Sequence, residues 1–250
     1  NALTKWSEWC VANPEKENKG IIRICDNEVY KVDITEIALP AGSRLVIEAA
    51  DSFFPAILPT GESLTVRALS GEKSASLTLN GILMKKTIVL EGSVKLDILH
   101  STIVPSGTNS PAIKRGVAPK ELQINIVESI LSSIRLDEFD AVRFSIKGSI
   151  IDGGTSADYA IKSETAEKCC SPAIIENSTI FGKVNVRELT GSEVLFTGAL
   201  TVKRRQLGYV RFCYIPENSE TSVRYRCQPD EAIETGLKKG EDEKDIRLRL

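Results

Sequence analysis

The chain holds one histidine, His100, so any Ser-His-Asp or Cys-His arrangement would have to be built around that single imidazole. No Gly-x-Ser-x-Gly elbow accompanies it, and neither Gly-x-x-x-x-Gly-Lys-Ser/Thr nor Gly-x-Gly-x-x-Gly occurs, which argues against ATP and NAD chemistry. Glu128 is the acid with which His100 could do acid–base work, because the two share a place in an internal repeat and would face each other across one step of it. The plainer reading is a solvated pair on a corner. Asp137-Glu-Phe-Asp140 has a spacing that could bind a hard cation, but with no glycine and no further acids it reads as a solvated loop.

Six cysteines stand at 10, 25, 169, 170, 213 and 227, too sparse in 250 residues for a disulfide framework, and reduced thiols are expected. There is no Cys-x-x-Cys and no zinc-ligand spacing, so no metal and no cofactor is expected. Cys213 and Cys227 flank a turn-rich segment; they either pair across a hairpin or are two small buried residues. The basic group Lys203-Arg-Arg205 with Arg211, Arg224 and Arg226 suits phosphate or an acidic protein surface. Strand alternation puts Arg224 and Arg226 on one side with Tyr225 opposite, an arrangement fit for carboxylates. Partner docking through Arg211, Arg224 and Arg226 and ordinary surface charge both remain open.

The elements that would carry these residues are set by a repeat. Five eight-residue segments superpose: Leu77–Met84, Leu96–Ile103, Ile124–Leu131, Phe144–Ile151 and Ala173–Ile180. The third position is always apolar (Leu79, Ile98, Ile126, Ile146, Ile175), and so are the first and the eighth. First and third alternate as in a strand and share a face, whereas the eighth has the opposite parity, so a bend near positions five and six must return it to the core. Ser101, Ser129, Ser149 and Ser178 at position six, and Gly81 and Gly148 before it, suit such a corner. Ile82 and these serines are 19, 28, 20 and 29 residues apart, the spacing of one coil with or without an inserted loop.

The fold class expected is therefore all-β: a single-stranded β-solenoid, right-handed and parallel, with little helix; a β-sandwich is the competing arrangement. The longer coils carry loops from Pro105 to Pro119 and from Gly153 to Pro172, and Arg44–Ala50 and Leu64–Leu69 look like earlier coils. Residues 1–39, with Trp6, Trp9, Tyr30 and the charged turn Pro14–Lys19, form an N-terminal cap; 40–202 are the coils; 203–233 make a C-terminal capping hairpin; 234–250 are a charged tail or linker.

Composition agrees with a globular chain: 42% hydrophobic, 26% charged, 32 Lys plus Arg against 34 Asp plus Glu. A net charge of -2 provides no global field toward nucleic acid or anionic membrane, so no nucleic-acid partner is expected. No apolar run approaches the roughly 20 residues that a span requires, so no membrane span is expected either. The first ten residues lack a basic and then apolar leader, which suggests a processed chain or an excised portion.

Several strings, among them His100-Ser-Thr-Ile-Val-Pro105, Ile174–Gly182, Arg204–Gly208, Val210–Tyr214 and Arg224-Tyr-Arg-Cys-Gln-Pro-Asp230, resemble uncharacterised bacterial β-helix proteins associated with phage-tail-like contractile injection systems. The resemblance spans about residues 40–230, and Thr221-Ser-Val223 departs from the more basic, proline-containing stretch expected there. It implies a non-catalytic structural or docking component of a multi-subunit protein assembly, cytoplasmic or particle-associated, with no small-molecule ligand. The alternative is a carbohydrate-active β-helix enzyme, a lyase or tailspike-like glycosidase. Such sites stack carboxylates on neighbouring coils about 4.8 Å apart, yet none of the second, fourth and fifth columns of the repeat holds two acids.

Overall fold

The computed structural model describes residues 2–13, 18–69, 71, 73–105, 107, 110–165 and 168–249. They form three wholly parallel sheets of ten, eight and eight strands. The ten-stranded sheet begins with Lys19–Ile24, which pairs with Arg44–Ala49, and ends with Gly208–Arg211 beside Val223–Tyr225. The chain visits the three sheets in the same order on every circuit, so each strand's neighbours come from the coils before and after it. This is a three-sided parallel β-solenoid with 49% strand and 10% helix.

Apolar columns hold it together. Ile98 pairs with Leu79 on one side and Ile126 on the other, followed by Ile146 and Ile175, and all five are buried. Met84, Ile103, Leu131, Ile151, Ile180 and Phe196 form the second sheet's column, so the eighth repeat position does return to the core. Complete burial of one such side chain is worth about 1.5–3 kcal/mol.

The corner between these columns follows one recipe. Position five adopts the left-handed region in Gly81 (φ 69), His100 (47), Glu128 (48), Gly148 (59) and Asn177 (47), and the series continues in Glu193, Phe212 and Arg226. Glycine adopts this conformation freely, whereas the other residues bear strain of about 1–3 kcal/mol each. Hydrogen bonds offset it: the amides of His100 and Glu128 donate to Val127 and Lys147 of the next coil at 3.0 and 2.9 Å. At position six each serine hydroxyl does two tasks. Ser129 Oγ accepts the Ser101 amide from the preceding coil at 3.0 Å and donates to its own Val127 carbonyl at 2.7 Å. Ser101, Ser149 and Ser178 repeat the pattern. Cys213 and Cys227 occupy the same place two and three coils beyond Ser178, with Cys213 Sγ directed at the Arg211 carbonyl (3.1 Å) and Cys227 Sγ at that of Tyr225 (3.6 Å).

Several sequence boundaries move. The coils begin at Lys19, not 40, because Lys19–Ile24, Val29–Val32 and Glu36–Leu39 pair into the three sheets. The N-terminal cover is helix α1 (Ala2–Ala12), whose Leu3, Trp6 and Cys10 face the first coil; Trp6 lies so close to Gly20 that a Cβ there would be 2.5 Å from its ring. Of the charged turn Pro14–Lys19, residues 14–17 lie outside the described residues. Arg44–Ala49 and Ser63–Ala68 belong to one coil, since Leu45 pairs with Leu77 but Thr65 with Glu36. The loops at 105–119 and 153–172 each contain their coil's third-sheet strand, Ile113–Pro119 and Tyr159–Lys162; residues 106, 108, 109, 166 and 167 lie outside the described residues.

The C-terminal hairpin is also corrected. Gly208–Arg211 and Val223–Tyr225 pair in parallel, and the intervening residues circle the core, touching the second sheet at Tyr214 and the third at Glu220. A tight turn cannot join parallel neighbours, so this segment is one more short coil. Part of the charged tail folds as helices α2 (Asp230–Lys238) and α3 (Glu243–Arg247), with Ile246 packed on Gly236.

Candidate functional site

His100 and Glu128 are brought together: Nδ1 and Oε2 lie 3.1 Å apart on adjoining coils. Their side chains are 58% and 63% exposed, on a corner flanked by Gly81 and Gly148, so the pair has neither a wall to hold a sugar nor a second acid above or below it. In the outward second column Asp97 is followed by Asn125, whose Nδ2 is 3.4 Å from Asp97 Oδ1, and Asn125 Oδ1 accepts from Ser145 Oγ at 2.9 Å. This is an amide and hydroxyl ladder on the sheet face, not a carboxylate pair.

The acidic cluster is not the solvated loop that its sequence suggests. Arg115 from the preceding coil reaches Asp140 at 2.9 Å and Asp137 at 3.6 Å. The Asp137 carboxylate also accepts from Ser163 Oγ, Thr165 Oγ1 and the Thr165 amide. Burial pushes its pKa upward, but these hydrogen bonds and Arg115 outweigh burial and hold it below the usual aspartate value. The cluster clasps the 153–172 excursion to the coil before it. Among the described residues no group of three His, Cys, Asp or Glu is placed to hold a metal ion.

The basic C-terminal group divides in two. Lys203 is paired with Glu138 at 2.8 Å, Arg204 with Glu188 at 3.0 Å, and Arg205 lies 3.7 Å from Glu220. Arg224 does not join Arg226 on an outward face. It pairs with buried Val210 in the ladder, opposite in sense to exposed Val223 and Tyr225, and donates to Asp230, Thr221 Oγ1 and the Ser219 carbonyl. Alternation fails because Arg226 is the corner residue, with φ of 48°.

Arg211 and Arg226 remain open to solvent, and among the described residues neither meets a carboxylate. The Arg211 guanidinium lies 5.5 Å from the centre of the Tyr209 ring and donates to Ser192 Oγ at 3.1 Å; that of Arg226 lies 5.6 Å from the Tyr225 ring. Phe212 meets Tyr225 edge-on at 5.7 Å. Tyr209, Phe212 and Tyr225 are each 42–55% exposed, giving a surface of three aromatic rings, two of which carry a cation. Sequence reasoning found the arginines and Tyr225 but missed Tyr209 and Phe212; these two on one short coil, with Tyr225 on the next, were the available signal.

At the opposite end, α1 leaves part of the first coil's lumen open as an apolar cavity of about 360 Å³ lined by Ile22, Ile24, Val32, Ile34 and Ile37 among others. No helix among the described residues is long and apolar enough to cross a membrane. Compared with protein-family models, with curated proteins and with solved structures, the chain finds no match.

Proposed function

We propose that this protein is a non-catalytic spacer and docking component of a larger protein assembly, binding an acidic partner surface through Arg211 and Arg226 and the rings of Tyr209, Phe212 and Tyr225. The observation that carries the reading is a difference among the exposed arginines. Arg204, Arg205 and Arg224 have carboxylates of this chain beside them, whereas Arg211 and Arg226 rest on aromatic rings with their outer donors unclaimed. Tyrosine and arginine in adjacent exposed positions are the residue types that dominate binding energy at protein interfaces, and a ring beneath a guanidinium limits the ordering cost of contact. The family resemblance supports a phage-tail-like contractile particle as the assembly.

The carbohydrate-active alternative has less support, since its one acid–base pair is solvated on a corner. The test is co-purification of the native complex from its source with Arg211→Glu and Arg226→Glu combined. Association should fall at least about tenfold and should weaken with salt in the wild type, because exposed charge pairs are screened. Arg204→Glu with Arg205→Glu, of equal charge change, should have a smaller effect. Unchanged association of the first variant overturns the reading.

A further inference from the structure

The serine ladder ends in sulfur. At the corner of the last full coil and of the terminal rung, Cys213 and Cys227 take the serine's place: like each serine hydroxyl, each thiol donates to the carbonyl two residues before it, Cys213 to Arg211 at 3.1 Å and Cys227 to Tyr225 at 3.6 Å, and the Gln228 amide donates to the Cys213 carbonyl at 2.8 Å across the coil step. We propose that Cys213 and Cys227 are a reversible dithiol–disulfide pair that staples the terminal rung, Val223–Cys227, to the coil beneath it.

Geometry favours the bond. The strands leading into the two cysteines pair in register, Arg211 with Tyr225, and Tyr214 bridges Gln228 just beyond. Adjacent rungs stand about 4.8 Å apart, inside the Cα separation of about 4.4–6.8 Å that a disulfide spans. A hydroxyl fills this position in four other coils, so the ladder itself does not require sulfur.

The chemistry is thiol–disulfide exchange. Arg224 near Cys227 favours a thiolate there, and burial of both sulfurs opposes ionisation. Burial raises Cys10, Cys169 and Cys170, the last to about 12. Either cysteine, as its thiolate, attacks a low-molecular-weight disulfide, RSSR, forming a mixed disulfide with R and releasing one RS⁻. The neighbouring cysteine, giving up its proton, attacks the protein sulfur of that mixed disulfide and expels the second RS⁻. Two protein thiols are oxidised, one disulfide is reduced to two thiols, and the two thiolates take up the protons. Both sulfurs are shielded in the closed fold, so access comes through loosening of the terminal rung, which has a strand on one side only.

The full-length protein should be titrated with oxidised glutathione and followed by intact mass and by mapping of linked peptides. The expected linked peptide joins Cys213 to Cys227 and is two hydrogens lighter than its reduced form, while exposed Cys25 carries a glutathione. Cys213→Ser and Cys227→Ser, each of which keeps a ladder hydroxyl, should each hold a glutathione on the remaining cysteine of the pair and form no internal link. Oxidation should slow amide exchange in residues 223–227 by about tenfold or more. The proposal is overturned if Cys213 and Cys227 stay free when exposed Cys25 is fully glutathionylated, or if the link forms without slowing exchange.

Discussion

Arg224 stands directly over Val210, so the inward column that runs through Ile98 and Ile175 ends in a guanidinium. The charge is tolerated there because Asp230, at the start of α2, takes one end of the fork at 2.9 Å while Ser219 and Thr221 take the rest. A cation can close an apolar stack if every donor is used and one edge reaches water.

Arg224→Ala should therefore loosen the C-terminal rung without affecting the rest of the solenoid. We expect a loss of about 1–2 kcal/mol, limited by solvent screening at half-exposed Asp230, read as faster amide exchange in residues 223–230. Arg226→Ala should leave that exchange unchanged.

Ser129→Ala should cost about 1–3 kcal/mol, because the buried Ser101 amide loses the acceptor it bonds at 3.0 Å. Ser129→Cys should recover part of the loss, since thiols fill this place at 213 and 227. Urea midpoints of the three proteins at constant slope would test the order.

Asp137 gives the fold an acid limit. Its folded pKa is depressed, so its contribution is complete above the ordinary aspartate pKa of about 3.9 and is lost as pH falls through the lower folded value. Urea midpoints should drop on acidification below about pH 4, and Asp137→Ala should be less stable at neutral pH with a shallower acid slope. An equal slope in both proteins would show that other carboxylates set this limit.

Glu128→Gln should change stability by less than about 0.5 kcal/mol, because its ion pair with His100 is exposed on both sides. Polyuronates and bacterial surface glycans incubated with the wild type should yield no new reducing ends or unsaturated products. Turnover abolished by Glu128→Gln would establish the enzyme alternative.

The coils from Leu77 to Ile180 were legible because one apolar position recurs at coil spacing and a serine marks the corner. The last coils were not, since Val194, Cys213 and Cys227 replace that serine and the coils shorten. Ile215-Pro-Glu-Asn-Ser-Glu220 between two short strands then reads as a reversal. The second and third sides of that coil rest on isolated bridges at Tyr214 and Glu220, too brief to leave a period in the sequence. The first coil was hidden differently: Ile22, Ile24, Val32 and Ile34 alternate but stand at the open end, beside aromatic residues that suggest a cap. For the candidate site, charge was readable and orientation was not, because one left-handed residue at 226 separates the direction of Arg226 from that of Arg224.

Since all three sheets bond only from coil to coil, tension between the two ends falls on each coil boundary in turn, and the boundaries are links in series. Compression is borne instead by close-packed columns of isoleucine and leucine, which yield little. The boundary beneath Val223–Tyr225 has the shortest strand of the ten-stranded sheet and only the Tyr214–Gln228 bridge on the next side. A rod built this way resists thrust along its length, and under traction it peels from its C-terminal rung.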